Sequence, residues 1–289
     1  MNSSRIPNLF LAGAPKCGTT SLVNWLSSTG NVFVPLGREP HFFANDIFPD
    51  RVCNSLNRYQ NLYKHASNEF KYLLDGSTGY LSSKEAIPNI LSICPNAKFI
   101  LMVRDPSEMV VSLHRERVTE GREKILSTRE AWSKCNENRE LALNYKFQCD
   151  LANQIKTAQS LISSSNLLIL SLKELSEEPK KTYEKMMDFL NLTVSSYPSF
   201  QIYGEAITRK SLLLQSLIFS VKKVRQRLNI PSVGVGLFKW LEQKNTIKKR
   251  AVLNDPKLLN DLKLELSIVR NELLSILKDR DECILEEPL

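Results

Sequence analysis

The sequence is poor in the residues from which metal and disulfide frameworks are built. Its 289 residues hold six cysteines (Cys17, Cys53, Cys94, Cys135, Cys149 and Cys283), none in a C-x-x-C pair, and three histidines (His41, His65 and His114), none at ligand spacing. Neither a disulfide scaffold nor a metal site is expected, and the scattered thiols fit a reducing cytoplasm. Long apolar runs are also missing. The N-terminal run Leu9–Ala14 falls far short of the roughly 18–20 residues of a membrane span and follows a single basic residue, Arg5, so no span and no secretory signal are expected. Acidic residues are in deficit, 31 Asp+Glu against 39 Lys+Arg, which leaves a formal charge of +8. The remaining composition, 42% hydrophobic and 24% charged, is that of a globular chain and excludes disordered, collagenous and coiled-coil classes.

What is present is a recurrence of short apolar strands followed by turns and helical patterns. Leu9–Ala12 ends in Gly13 and a turn-rich loop, after which Leu22, Trp25 and Leu26 recur at helical spacing within Thr20–Leu26. The motif returns at Tyr72–Leu74 before Asp75-Gly76, at Phe99–Val103 before Arg104-Asp105-Pro106, and at Leu167–Leu170 before Ser171 and a helix. This predicts a three-layer α/β/α fold on a parallel sheet with right-handed crossovers. From Lys173 onward the pattern is helical, over Tyr183–Leu190, Ser211–Leu228 and Leu258–Leu277. In Ser211–Leu228, Leu214, Leu217, Ile218, Val221 and Leu228 fall on one stripe, with Lys222, Lys223, Arg225 and Arg227 mostly elsewhere. No repeat or linker divides the chain, so one domain over 1–289 is expected, with an α/β core at 8–200 and a basic helical extension at 201–289.

The segment Gly13-Ala14-Pro15-Lys16-Cys17-Gly18-Thr19-Thr20-Ser21 runs from the first strand into a helix. Its glycines let successive backbone N–H groups face one concavity, and a helix N-terminus adds unpaired donors and a positive dipole end, which suits an oxyanion. The spacing fits G-x-x-x-x-G-K-[ST] at both glycines, but Thr19 replaces the lysine, which stands instead at Lys16. No apolar strand ending in an aspartate suited to Mg²⁺ is evident, since Phe99–Val103 ends in Arg104. An ordinary turn is the alternative.

Three segments together resemble sulfotransferases that use 3′-phosphoadenosine 5′-phosphosulfate (PAPS). Pro15-Lys16-Cys17-Gly18-Thr19-Thr20-Ser21-Leu22 is similar to the 5′-phosphosulfate loop of that family, Arg104-Asp105-Pro106 with Ser112 to its 3′-phosphate motif, and Arg38-Glu39-Pro40-His41-Phe42-Phe43 to the E-x-H-F-F segment of its heparan-sulfate branch. The likeness runs in family order from about Leu9 to His114, and more weakly over Leu167–Leu190. It implies PAPS as co-substrate, no metal, and a glycan or other small-molecule acceptor. Cys17, Gly18, Thr19, Thr20, Ser21, Arg104, Ser112 and, more weakly, Arg209 would hold the nucleotide. Lys16 would face the bridging oxygen where charge builds on the leaving phosphate, a contact worth roughly 2.7–4 kcal/mol by analogy with other charge-stabilised transfers.

Glu39 would take the acceptor's proton as it attacks sulfur. His41 would orient Glu39 or touch the acceptor, with His114 a further candidate base. Asp75-Gly76-Ser77-Thr78-Gly79-Tyr80 resembles the acceptor-lining segment, with Thr78 and Tyr80 as candidates, but Gly76 stands where relatives carry a lysine. The alternatives are a surface Arg38–Glu39 pair and an Arg104–Asp105 turn salt bridge. Between Arg209 and Arg250 eleven Lys/Arg stand against one acid, Glu242. That field fits a solvated surface, an anionic glycan or the surface of an anionic membrane, and no nucleic-acid motif accompanies it. Two other functions share these features: a P-loop-type kinase, and a non-catalytic anion-binding or membrane-surface module.

Overall fold

Five apolar stretches too short for helices form one parallel sheet. The computed structural model describes residues 6–49, 51, 53–135, 140–201, 208–227, 240–241, 243–247 and 256–278. In chain order the strands are β1 (Leu9–Gly13), β2 (Val32–Phe33), β3 (Tyr72–Asp75), β4 (Lys98–Val103) and β5 (Leu167–Ser171). They lie side by side as β2-β3-β1-β4-β5, every pair parallel. β1, β3 and β5 are buried along their whole length, the mark of a sheet covered on both faces.

The crossovers supply that cover. α1 (Thr19–Ser28) joins β1 to β2, α2 (Leu56–Asn61) joins β2 to β3, and α3 (Ala86–Ile93) joins β3 to β4. The long β4–β5 connection carries α4 (Pro106–Glu120), α5 (Thr128–Ser133), α6 (Tyr145–Gln148) and α7 (Leu151–Leu161). After β5 come α8 (Leu172–Glu177) and α9 (Pro179–Leu190), then β6 (Thr208–Arg209), α10 (Leu212–Arg227), β7 (Thr246–Ile247), α11 (Pro256–Glu265) and α12 (Ser267–Lys278). The helix starts follow local chemistry. Ser171 and Glu174 form a reciprocal capping box at α8, and Pro179 opens α9 where its missing N–H costs nothing.

The chain divides into two compact units. The first, Met1–Pro106 with Asp150–Gly204 and Ser267–Leu289, contains the whole sheet. Its core stacks Phe10 on Phe99 across β1 and β4 at 5.4 Å and sets Trp25 of α1 edge-on to Phe200 at 5.1 Å. Each such fully buried large side chain contributes about 1.5–3 kcal/mol. The second unit, Ser107–Cys149 with Glu205–Leu266, is helical apart from the antiparallel pair β6–β7. Its centre is polar. Glu123 accepts from the amides of Lys124 and Ile125 and from the Tyr145 hydroxyl, while the buried Arg117 guanidinium lies 5.0 Å from the Tyr145 ring.

In α10 the apolar stripe is divided: Ile218 is buried, whereas Leu217 and Val221 are 62% and 40% exposed, and the buried Gln215 lies beside Asn245. Gly121 approaches Ser216 so closely that a Cβ there would meet its backbone at 2.8 Å. The stretch Leu258–Leu277 is two helices. Its buried leucines include Leu258, Leu262, Leu266 and Leu273, and the break falls at Leu266. Lys222, Lys223, Arg225 and Arg227 lie on α10, but their side chains fall outside the described residues, as does Phe238. Among the described residues no helix is long and apolar enough to cross a membrane.

Candidate active site

The loop after β1 is shaped by its glycines and by the strands on either side of it. Gly13 has φ +152°, and a Cβ there would meet Leu81 Cβ at 2.7 Å and the Thr78 carbonyl at 2.8 Å. Close packing thus demands glycine at Gly13, whereas at Gly18, the N-cap of α1, the left-handed φ of +86° is what favours it. Gly18 has no side chain to cap the helix. Its carbonyl accepts the first α1 bonds, from the amides of Ser21 and Leu22, and the N–H groups ahead of them in the first turn have no place in that ladder. Lys16 adopts φ +65° in mid-loop. Cys17 is buried, its thiol donating to the Pro15 carbonyl at 3.5 Å, and Ser21 is buried, whereas Gly18, Thr19 and Thr20 are partly exposed.

The sheet order puts Arg104 beside this loop. From β1 the chain crosses toward β2 and from β4 toward β5, so the connections diverge between β1 and β4, the place where open α/β sheets bind ligands. Arg104 follows β4 there, and its Nη1 donates to the Lys16 carbonyl at 3.0 Å. Asp105 is engaged by Arg270 of α12 at 2.9 Å, with both side chains less than a fifth exposed. The strand-end arginine therefore braces the anion-type loop, and the acid beside it pairs elsewhere.

Glu39 lies in a loop tied along its length to the segment after β3. The Gly76 amide donates to the Arg38 carbonyl (2.9 Å), the His41 amide to Ser77 Oγ (2.9 Å) and the Phe43 amide to Tyr80 Oη (3.4 Å). Thr78 Oγ1 donates to Glu39 Oε2 at 3.1 Å, and His41 Nε2 is 3.7 Å from the same oxygen. Arg38 Nε is 3.9 Å from Glu39 Oε1, while its Nη2 donates to Thr20 Oγ1 at 3.2 Å. Glu39 keeps 35% of its side chain exposed, so the carboxylate is held on three sides and open on the fourth. The His41 ring stacks on Phe48 at 4.1 Å.

Lys16, Cys17, Gly18, Thr19, Thr20, Ser21, Arg104, Glu39, His41 and Thr78 thus share the first unit and one edge of its sheet. Ser112, on α4, belongs to the second unit. Arg209 also belongs there, as part of β6, with its side chain outside the described residues. His114 is a buried member of that unit, with Thr128 Oγ1 at 2.8 Å from Nδ1 and the Ile125 carbonyl at 2.9 Å from Nε2. Tyr80 corrects the expectation that it lines an acceptor surface: it is 0% exposed, and its hydroxyl points inward to Asp75 at 2.9 Å.

The expectation is that no apolar strand ends in an aspartate suited to Mg²⁺; β3 ends in Asp75, directly beside β1. The carboxylate is wholly buried, and its oxygens accept from four protein donors: the Ser77 amide (3.0 Å) and hydroxyl (2.6 Å) at Oδ1, the Tyr59 (2.7 Å) and Tyr80 hydroxyls at Oδ2. That occupancy differs from a strand-end acid open to a cation. Burial pushes the Asp75 carboxyl above its ordinary range, against the opposing pull of the Ser77, Tyr59 and Tyr80 hydrogen bonds. Asp75 and Arg38 are the residues that sequence reasoning passed over. Their available signals were a strand end ahead of a glycine and a cation next to the proposed base.

A parallel sheet with a glycine-turned loop at β1, a helix N-terminus behind it and an arginine at β4 defines a P-loop-like α/β protein that binds anionic ligands. Within that class the chain belongs to the sulfotransferase domain family, whose profile matches residues 7–252. A sulfotransferase from Alicyclobacillus acidocaldarius shares the fold, with a TM-score of 0.63 and 23% identity over 81% of this chain and 99% of that one. Retinol dehydratase in complex with androsterone and the inactive cofactor PAP aligns at a TM-score of 0.48 and 13% identity, covering 99% of this chain and 84% of its own. The sulfotransferase domain from the curacin biosynthetic pathway aligns at 0.47 and 14%, covering 91% and 98%. No curated protein matches the chain.

The raised Asp75 carboxyl has a definite sign in stability. The folded chain holds this proton more tightly than the unfolded chain, so the stabilisation is complete below the ordinary aspartate value of about 3.9. It is lost as pH rises toward the folded value. The difference in melting temperature between wild type and Asp75→Asn should therefore narrow as pH is raised from about 4 to about 8. A gap that widens over this range would contradict the raised carboxyl.

Proposed function

We propose that the chain transfers the sulfuryl group of PAPS to an acceptor hydroxyl, less readily an amine, with Glu39 as general base. The observation that carries this reading is the Arg38–Thr20 hydrogen bond: the residue before the carboxylate is anchored to the helix start behind the anion-type loop. A base is thereby held close to where an anionic donor would bind, which is what proton removal during attack requires. When bound, PAPS supplies an activated sulfuryl group on a phosphate leaving group.

The residues present fit such a ligand. A helix start with no side-chain cap, a left-handed Gly18 and Arg38, bonded to Thr20 in the first turn of that helix, favour the 5′-phosphosulfate. Backbone groups of Gly18–Thr20 would hold it, with Cys17 and Ser21 packing the loop, and Lys16 would neutralise charge on the leaving phosphate. Arg104 would hold the 3′-phosphate. Glu39 would hold the acceptor's hydroxyl and take its proton, with Thr78 and His41 keeping the carboxylate aimed. Phe42 and Phe43 would exclude water.

The E-x-H-F-F segment favours the heparan-sulfate type branch and a carbohydrate-like acceptor, handled by one sulfotransferase domain with a basic C-terminal extension in the cytoplasm. The reading implies that Lys16→Ala and Arg104→Ala each weaken binding of 3′-phosphoadenosine 5′-phosphate at least about tenfold by calorimetry. Glu39→Gln should keep that affinity and lower turnover of radiolabelled PAPS by about 10²–10⁴-fold. Wild-type affinity in both cation variants, or full turnover in Glu39→Gln, would reject it.

A second role is favoured by one surface. On α10 the side chains of Leu213, Leu217, Val221 and Val224, 87%, 62%, 40% and 57% exposed, recur at steps of four, four and three and so share a face. Lys222, Lys223, Arg225 and Arg227 stand in the same helix. We therefore propose peripheral association with an anionic membrane surface. The chain should sediment with phosphatidylserine vesicles and not with phosphatidylcholine vesicles at about 0.15 M salt, and reversing the four charges should abolish this. Equal recovery with both vesicle types would exclude it.

A further inference from the structure

The buried hydrogen bonds around Asp75 have a direction that the hydroxyl chemistry enforces. Ser77 Oγ and Tyr80 Oη each carry one proton, and each gives it to the Asp75 carboxylate. Having donated, each oxygen can only accept in its remaining bond, and what each accepts is a backbone amide: His41 at Ser77, Phe43 at Tyr80. Those amides lie two and four residues beyond Glu39. On the other side of Glu39 the Arg38 carbonyl is taken by the Gly76 amide. His41 has φ +50°, a conformation a non-glycine residue keeps only when its surroundings impose it.

We propose that Asp75 is a positioning residue for sulfuryl transfer: by orienting the Ser77 and Tyr80 hydroxyls it clamps the backbone at His41 and Phe43 and so aims the Glu39 carboxylate. The inference rests on the reading of Glu39 as general base. An asparagine cannot replace Asp75, because four donors converge on two oxygens and the amide has one. Whichever side receives the NH₂ group, a donor faces a donor, and the hydroxyl there must turn its proton toward the loop amide it now holds. One clamp then opens although the side chain is nearly isosteric.

The test uses the full chain saturated with 3′-phosphoadenosine 5′-phosphate for amide exchange, and radiolabelled PAPS with p-nitrophenol as hydroxyl probe for turnover. Asp75→Asn should speed exchange of the His41 or the Phe43 amide, according to which oxygen the NH₂ replaces, and Ser77→Ala that of the His41 amide, each at least about tenfold. They should also lower kcat about 10- to 100-fold, with acceptor KM and nucleotide affinity held within about twofold. Ser77→Ala keeps the carboxylate and decides the matter if Asp75→Asn does not fold. Tyr63→Phe removes a hydroxyl of the same core that donates to the Leu74 carbonyl, and it should change stability but neither exchange nor kcat. Unchanged His41 exchange or kcat in Ser77→Ala, with Glu39→Gln inactive, overturns the positioning role alone. An equal kcat loss in Tyr63→Phe overturns it too, by making the effect one of core loosening. Full turnover in Glu39→Gln overturns the parent reading instead.

Discussion

The site depends on one constraint: β1 runs between β3 and β4, and all three strands point the same way. A parallel sheet sends the segments after every strand to a single edge. The anion-type loop after β1, the Asp75–Tyr80 segment after β3 and Arg104 after β4 are therefore neighbours without any of them having to travel. The short hydrogen bonds of the site are consequences of that arrangement. Arg104 reaches the Lys16 carbonyl because their strands pair, and Leu81 can donate to the Ala12 carbonyl because β3 lies along β1.

On this edge the protein concentrates donors. One guanidinium bonds to the glycine loop and a second to the first turn of the helix behind it, that helix begins without a side-chain cap, and the nearby carboxylates have defined partners. Asp105 is paired with Arg270, Asp75 receives four hydrogen bonds, and Glu39 is flanked by Arg38, His41 and Thr78. Such pairing lets two arginines and a lysine share a small region with acids without the acids cancelling the field of the loop. It also separates the surroundings of Glu39 and Asp75: the first is partly exposed, as the proposed general base requires, and the second is sealed among its donors.

Much of this was legible from short-range pattern. The four apolar runs called as strands are strands, each with its predicted core and shifted by a residue at most, and the turn-to-helix change at Gly18-Thr19 falls where the glycines and hydroxyls indicate. The two-residue β2 carries too little periodicity to be read. A helical stripe tells which residues share a face but not which of them are covered: in α10 Ile218 is buried while Leu217 and Val221 are exposed, and the helix meets Gly121, about a hundred residues earlier, at Ser216.

By itself the sequence determined the parallel α/β class, the oxyanion-type loop and the strand-end Arg104, because each is written in residues adjacent along the chain, where turn geometry and apolar spacing act directly. Only the tertiary structure decided that the Glu39 loop is fastened to the segment after β3, that Tyr80 faces inward, and that Asp75 is the acceptor beneath both. Those bonds join residues up to 39 positions apart. Their existence follows from β3 settling beside β1, which no local pattern encodes and only the closing of the whole sheet brings about.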